Sequence, residues 1–203
     1  MGVSGPRVGV LGGTFDPPHL AHLVLAAAAR RTLALDRVVL VPAGDPWRKA
    51  DREVTPAATR LRLVEAAAES LRWAEVSAVE IEREGPTYTI ETFEGLAAAE
   101  PDAEWWFLLG EDALADLPHW HAPERLVEAV RFGLAQRPGA QPAASTLEAV
   151  PGLADRVDLV PMAALDVSAS DLRARIARGE PTTPLLPAAV RAVIDDLGLY
   201  RGG

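Results

Sequence analysis

Short, unbroken apolar runs alternate along this chain with longer stretches whose apolar residues recur at helical spacing. Residues 7–11 (RVGVL), 38–41 (VVLV) and 105–109 (WWFLL) are too short for buried helices and end at Gly12-Gly13, Pro42 and Gly110, as buried strands do. The same reasoning predicts strands over 76–81, 132–136 and 157–160. Helical patterning fills much of the chain between them. Residues 19–35 are alanine-rich and strongly helix-forming, and 89–99 follow the breaker Gly85-Pro86. Thr55 before Pro56 predicts an N-cap and first helical position, opening a helix to about Arg72. Shorter helical pieces are expected within 112–130, and two further helices over 168–178 and 187–197. Residues 43–55 read as loop, and 138–154 as an exposed, variable connection rich in proline and alanine.

Apolar strands alternating with helices predict an α/β fold, a doubly wound and mostly parallel sheet with helices on both faces. No repeat and no linker divides the chain, so one domain over 1–203 is expected. In such folds ligands lie at the carboxyl ends of the strands, near the point where strand order reverses.

Charge narrows the partners. With 20 basic and 29 acidic residues the formal net charge is −9, which argues against a surface that coats nucleic acid. The absence of cysteine removes disulfides, thiolate metal sites and a cysteine nucleophile. No apolar run reaches the roughly 18 residues of a membrane span, and none near the start has signal-peptide character, so a cytoplasmic, membrane-free protein is expected. Arginine supplies every basic residue but one: Lys49 is the sole lysine, and asparagine is absent.

The exit of the first strand concentrates chemistry. It reads Gly12-Gly13-Thr14-Phe15-Asp16-Pro17-Pro18-His19-Leu20-Ala21-His22. Paired glycines allow a ligand to approach the backbone, and Thr14 adds a hydroxyl. His19 and His22 fall three apart in the opening turn of a helix, on one face and at the positive end of its dipole, where anions bind. A plain strand–turn–helix junction with surface histidines is the competing reading. Half of the four histidines sit here beside paired glycines, which favours the anion site.

This segment is neither a Walker A loop nor G-x-G-x-x-G. It resembles the nucleotidylyltransferase superfamily signature G-G-T/S-F-D-x-x-H-x-G-H, with Ala21 where the superfamily has glycine. Val167-Ser168-Ala169-Ser170-Asp171-Leu172-Arg173 is similar to its second signature, I-S-S-T-x-I-R. Alone this would be a serine N-cap on an amphipathic helix. Paired with the first signature it reads as the far half of a triphosphate clamp.

Further segments resemble the nicotinate mononucleotide adenylyltransferase family. Gly85-Pro86-Thr87-Tyr88-Thr89-Ile90-Glu91-Thr92-Phe93 is similar to S-Y-T-x-x-T-L, and 107–114 with Trp120 to F-I-x-G-x-D-x-L…W. Arg137-Pro138-Gly139 matches R-P-G, and the stretch from Leu186-Pro187 to Leu199-Tyr200-Arg201 matches L-P…G-L-Y-R. The resemblance implies adenylyl transfer from ATP to nicotinate mononucleotide, giving deamido-NAD and pyrophosphate. It places ATP on Gly12, Gly13, Thr14, Phe15, His19, His22, Gly110, Asp112, Ser168, Ser170 and Arg173, with the C-terminal helices from about 168 completing that site. It places the mononucleotide on Asp16, Lys49, Thr89, Ile90, Trp120 and His121, with the ring stacked on Trp120 and its carboxylate on the amides after Thr89 and Trp120. The implied catalytic groups are His19, His22, Lys49 and Arg173. Lys49 resembles the lysine of a P-P-H-K loop, with Trp47 and Arg48 replacing Pro-His; a solvated surface lysine is the plainer reading. Mg²⁺ is expected on the ATP phosphates, with no protein ligands named. Self-association into a homo-oligomer is left open. The rivals are a related transferase for pantetheine phosphate or a sugar- or alcohol-phosphate, and a non-catalytic nucleotide sensor on the same fold.

Overall fold

The computed structural model describes residues 5–44, 54–137, 139–163 and 165–201. Six parallel strands form one sheet in the order β3-β2-β1-β4-β5-β6. They are β1 (Arg7–Gly13), β2 (Arg37–Pro42), β3 (Ala74–Val76), β4 (Glu104–Leu109), β5 (Arg131–Gln136) and β6 (Val157–Pro161). The helices are α1 (Leu20–Thr32), α2 (Ala57–Ala68), α3 (Thr89–Ala99), α4 (Glu111–Asp116), α5 (Pro123–Ala129), α6 (Ala144–Leu147), α7 (Ala169–Ala177) and α8 (Ala188–Asp196). Among the described residues no helix is long and apolar enough to cross a membrane.

Period-two alternation explains why the central strands read as continuous apolar runs. Val8 and Val10 of β1, with Trp105, Phe107 and Leu109 of β4, face one side, where Ile90 and Phe93 of α3 and Leu126 of α5 cover them. Leu11, Trp106 and Leu108 face the other side, against Leu25, Ala26 and Ala29 of α1 and Val64 of α2. A third apolar cluster joins Leu63 of α2 to Leu172 and Ile176 of α7 and Val190 and Ile194 of α8. That packing sets the start of α7 against the exit of β1.

Several boundaries differ from the sequence expectation. The strand expected over 76–81 is Ala74–Val76. The Ser77 amide makes a last bond to Leu40 O, and the chain then turns, with the Ile81 and Glu82 amides both on Ala78 O. Thr55 is not the cap of α2: Pro56 holds that position in extended conformation and the helix starts at Ala57. The expected exposed connection is largely exposed over 139–149 and is pinned only at its end, where Val150 and Leu153 enter the core beside Val127.

The sheet reverses direction between β1 and β4. The chain steps outward from β1 through β2 and β3, then returns to β4 on the opposite flank of β1. The crevice this leaves at the strands' carboxyl ends is where a ligand fits.

Candidate active site

Two adjoining cavities occupy that crevice. The larger, about 510 Å³, has Gly12, Gly13, Thr14, His22, Phe107, Gly110 and Trp120 in its wall, together with Glu80, Thr87, Thr89 and Thr92. The smaller, about 300 Å³, is bounded by Thr14, Phe15, Asp16, His19 and His22 on one side and by Val167, Ser168, Ala169, Ser170 and Arg173 on the other. Thr14 and His22 belong to both walls. The two signatures, about 150 residues apart in sequence, therefore meet across one small cavity.

The glycines keep the floor of the larger cavity open. A Cβ on Gly12 would meet only Phe107, at 3.6 Å, so the protein itself has room for one and the space saved belongs to the cavity.

His19 ends the loop as the N-cap of α1 and His22 is the third residue of that helix. Their rings stack with centroids 3.9 Å apart, and Phe15 packs edge-on against His22 at 4.9 Å. The His19 main-chain amide donates to Nδ1 of His22 at 3.1 Å. An accepting Nδ1 carries no proton, so neutral His22 holds its proton on Nε2 and can act as a donor there. His19 is 7% exposed, and burial pushes its pKa from 6.5 down to about 4. Among the described residues its buried Nδ1 has no hydrogen-bond partner. A buried, neutral, under-satisfied imidazole in a cavity wall is suited to a polar ligand.

Asp16 is buried beneath this pair and accepts from Tyr200 Oη at 2.7 Å. Arg173 donates to the Asp16 main-chain oxygen at 2.6 Å and reaches Ser170 Oγ at 3.3 Å. The guanidinium thus stands at the cavity wall, anchored to the first signature from the second. Ser168 caps α7, its Oγ accepting from the Asp171 amide at 3.1 Å.

Sequence reasoning missed Arg60. Its guanidinium is 1% exposed and donates to Thr55 O, Thr14 O and Gly44 O, each at 2.9 Å. One side chain therefore ties together the exits of β1 and β2 and the approach to α2. Tyr200 and Glu80 were also missed as site residues. The partners of all three are remote in sequence or lie on turns, and no local spacing reveals them.

At the far end of the larger cavity Trp120 is half-buried, donating Nε1 to Asp116 at 3.1 Å and packing against Phe107 at 5.7 Å. Thr89 opens α3 there, and Ile90 beside it is buried. The exposed His121 ring stacks on Tyr88 at 4.2 Å, which joins the segment after Trp120 to the start of α3. Not every expected residue lines the larger cavity: Ile90 and His121 are in the wall of neither cavity. Asp16 borders the small cavity and not the one containing Trp120. Asp112 is exposed on α4, second in the helix after its N-cap Gly110, and faces a separate hollow with Pro142 and Thr146. Lys49 lies outside the described residues.

A parallel sheet with a glycine-lined crevice, a histidine pair at a helix start and a serine-capped helix opposite define a nucleotidyltransferase. The cytidylyltransferase-like family model matches residues 10–175, and the chain belongs to that family. A Thermomicrobium roseum protein described as "Probable nicotinate-nucleotide adenylyltransferase" is 42% identical over 196 residues, covering 96% of this chain and 92% of its own length. A Bordetella petrii protein with the same description is 45% identical over 198 residues, covering 96% and 99%. Within the wider family, this chain is a member of the nicotinate-nucleotide adenylyltransferases. The fold matches that of Plasmodium falciparum nicotinic acid mononucleotide adenylyltransferase complexed with NaAD, at a TM-score of 0.77, 18% identity and coverage of 96% of this chain and 97% of that one.

Proposed function

We infer that the chain transfers the adenylyl group of ATP to nicotinate mononucleotide, forming deamido-NAD and pyrophosphate in NAD biosynthesis. The observation that carries the reading is the shared wall. Thr14 and His22 line both the cavity of the anion-binding signatures and the cavity containing Trp120. Two ligands seated in these cavities meet at those side chains.

An oxygen of the mononucleotide phosphate attacks the α-phosphorus of ATP. A new P–O bond forms there, and the bond to the β-phosphate oxygen breaks in line. The attacking phosphate is ionised at neutral pH, so the protein supplies position and charge stabilisation, with no covalent nucleophile. Nε2–H of His22 donates to the oxygens of the transferring phosphate as their charge grows. Neutral His19 backs the same phosphates, while Ser168, Ser170 and Arg173 hold the rest of the triphosphate. Lys49 is assigned to the phosphates from its sequence position alone. Trp120 stacks the pyridinium ring, and the amides of Ile90 and His121 receive its carboxylate. Amide donors suit a carboxylate better than a carboxamide, whose NH₂ would face them.

Among the described residues no group of three or more acidic or histidine side chains could hold a metal ion. The small cavity offers imidazoles, hydroxyls, a guanidinium and one carboxylate already bonded to Tyr200, a set suited to phosphate oxygens. Mg²⁺ would enter such a site on the nucleotide, and when bound would supply charge neutralisation for the leaving group.

The test is pyrophosphate release from ATP with nicotinate mononucleotide, nicotinamide mononucleotide and pantetheine phosphate in turn. Preference for the nicotinate compound is expected. Equal kcat/KM for the first two acceptors would remove the carboxylate assignment, and ATP binding without turnover of any acceptor would favour a sensor.

A further inference from the structure

Glu80 belongs to none of the sequence signatures, yet its side chain stands in the wall of the larger cavity. The turn that ends β3 after Val76 delivers it there. Both carboxylate oxygens are engaged by hydroxyls. Oε1 accepts from Thr92 Oγ1 at 2.8 Å, and Oε2 from Thr87 Oγ1 at 3.3 Å. The backbone of Gly44, at the exit of β2, donates to the same carboxylate. These two main-chain segments pass so closely that a Cβ on Gly44 would lie 2.1 Å from Glu80 O, a contact no other residue could make without moving the backbone.

Thr87 and Thr92 bracket the start of α3. Thr87 lies two residues before Thr89, the first residue of the helix. Thr92 is 2% exposed, and its amide closes the first turn on Tyr88 O at 3.2 Å. Its hydroxyl also receives Arg83 Nη1 at 3.4 Å and lies 3.4 Å from Tyr88 O, so the 2.8 Å contact to Glu80 is the shorter of its two donations. A carboxylate only accepts, so it suits two hydroxyls and an amide converging from three segments. Burial pushes the Glu80 carboxyl above its ordinary range, while these donors oppose that rise.

We propose that Glu80 is a positioning residue of the acceptor cavity: it fastens Thr87 and Thr92 to the Gly44 backbone and so fixes the first-turn amides of α3 toward the acceptor's carboxylate. The proposal rests on the acceptor reading given above. Glu80 acts through the threonines, and its charge is incidental: a negative group near a carboxylate ligand brings no attraction of its own.

Steady-state kinetics of E80A and E80Q with ATP and nicotinate mononucleotide test this. E80A takes the acceptor from the half-buried Thr87 hydroxyl and leaves the buried Thr92 hydroxyl only the longer contact to Tyr88 O at 3.4 Å, and is expected to raise the acceptor KM roughly tenfold while the KM for ATP changes less than about twofold. E80Q keeps the shape and an accepting oxygen, and should recover most of the loss. If E80Q is as impaired as E80A, the charge itself matters and the proposal falls. It falls equally if both KM values rise together, or if neither moves while only the melting temperature drops. Should wild-type protein fail to use nicotinate mononucleotide, the acceptor reading is lost, and hydrogen exchange of the Thr92 amide in unliganded protein decides Glu80 separately. Faster exchange in E80A than in wild type, with E80Q near wild type, upholds the clasp, and unchanged exchange overturns it; if E80A does not fold, E80D, whose shorter carboxylate does not reach both threonines, takes its place.

Discussion

The main-chain amide of His19 donates to Nδ1 of His22 at 3.1 Å while their rings stack at 3.9 Å. One histidine thus fixes both the tilt and the tautomer of the other. With Nδ1 occupied as an acceptor, the remaining donor of neutral His22 is Nε2–H, on a ring that lines both cavities.

His22→Ala is accordingly expected to lower kcat by roughly 10²–10³-fold, the range for losing one donor to developing charge. The KM for ATP should change much less, and the fold should persist because His22 is only partly buried. Turnover and thermal midpoint measured on one preparation separate the cases. A folded variant with normal kcat removes His22 from the chemistry, and activity lost only in proportion to unfolded protein makes it structural.

His19 carries a pH signature. Its pKa falls from 6.5 in the unfolded chain to about 4 in the fold, because burial disfavours the imidazolium. Between these values the unfolded state binds more protons, so the contribution is fully present above about pH 6.5 and is lost as pH falls toward about 4. Its full extent is on the order of 3 kcal/mol. The raised carboxyl of Glu80 acts in the opposite direction, favouring the fold as pH drops. NMR titration of the His19 ring isolates the effect: a midpoint near 4 is expected, and one near 6.5 would mean that the ring is solvated.

Trp120→Ala should weaken use of the acceptor by about 1–3 kcal/mol, the worth of an aromatic platform under a base. Trp120 is half-buried with one edge on Phe107 and its Nε1 on Asp116, so the substitution opens the cavity more than it disturbs the core. Acceptor KM is the quantity to measure. An unchanged value in folded protein would return Trp120 to a packing role.

Tyr200→Phe removes the hydroxyl that donates to Asp16 Oδ1 at 2.7 Å. Asp16 is 4% exposed, so water replaces that donor poorly, and a loss of about 1–3 kcal/mol in urea-induced unfolding is expected. No loss would show that Arg173, 3.8 Å from the other carboxylate oxygen, suffices to hold Asp16.

Much of the fold was legible because strand and helix periods differ so clearly here. The run 105–109 needed only one more residue to become β4, and 89–99 coincides with α3. The misplaced strand over 76–81 shows the limit. Its apolar residues look like an extension of β3, but the ladder ends once Ser77 has bonded to Leu40, and Val79 packs beneath a turn. The site divides in the same way. His19, His22, Ser168 and Arg173 sit in contiguous signatures, and the structure brings them to one cavity. Arg60 reaches Thr14, 46 positions away, and Tyr200 reaches Asp16, 184 positions away, so their roles exist only in three dimensions. Asp112 shows the reverse: a motif position whose side chain faces solvent and a separate hollow.

The common wall of Thr14 and His22 has a pharmacological side. Two weak fragments, one per chamber, need only a short tether to span it, since the chambers abut at those residues. A short flexible tether presents the second fragment at an effective concentration of about millimolar, so joint affinity can exceed either alone by about 10²–10⁴-fold without any new contact. On the proposed reading a dinucleotide is such a tethered pair, its pyrophosphate bridge expected at the wall shared by Thr14 and His22. The enzyme's own product is therefore the natural template for an inhibitor, and it would compete with both substrates at once.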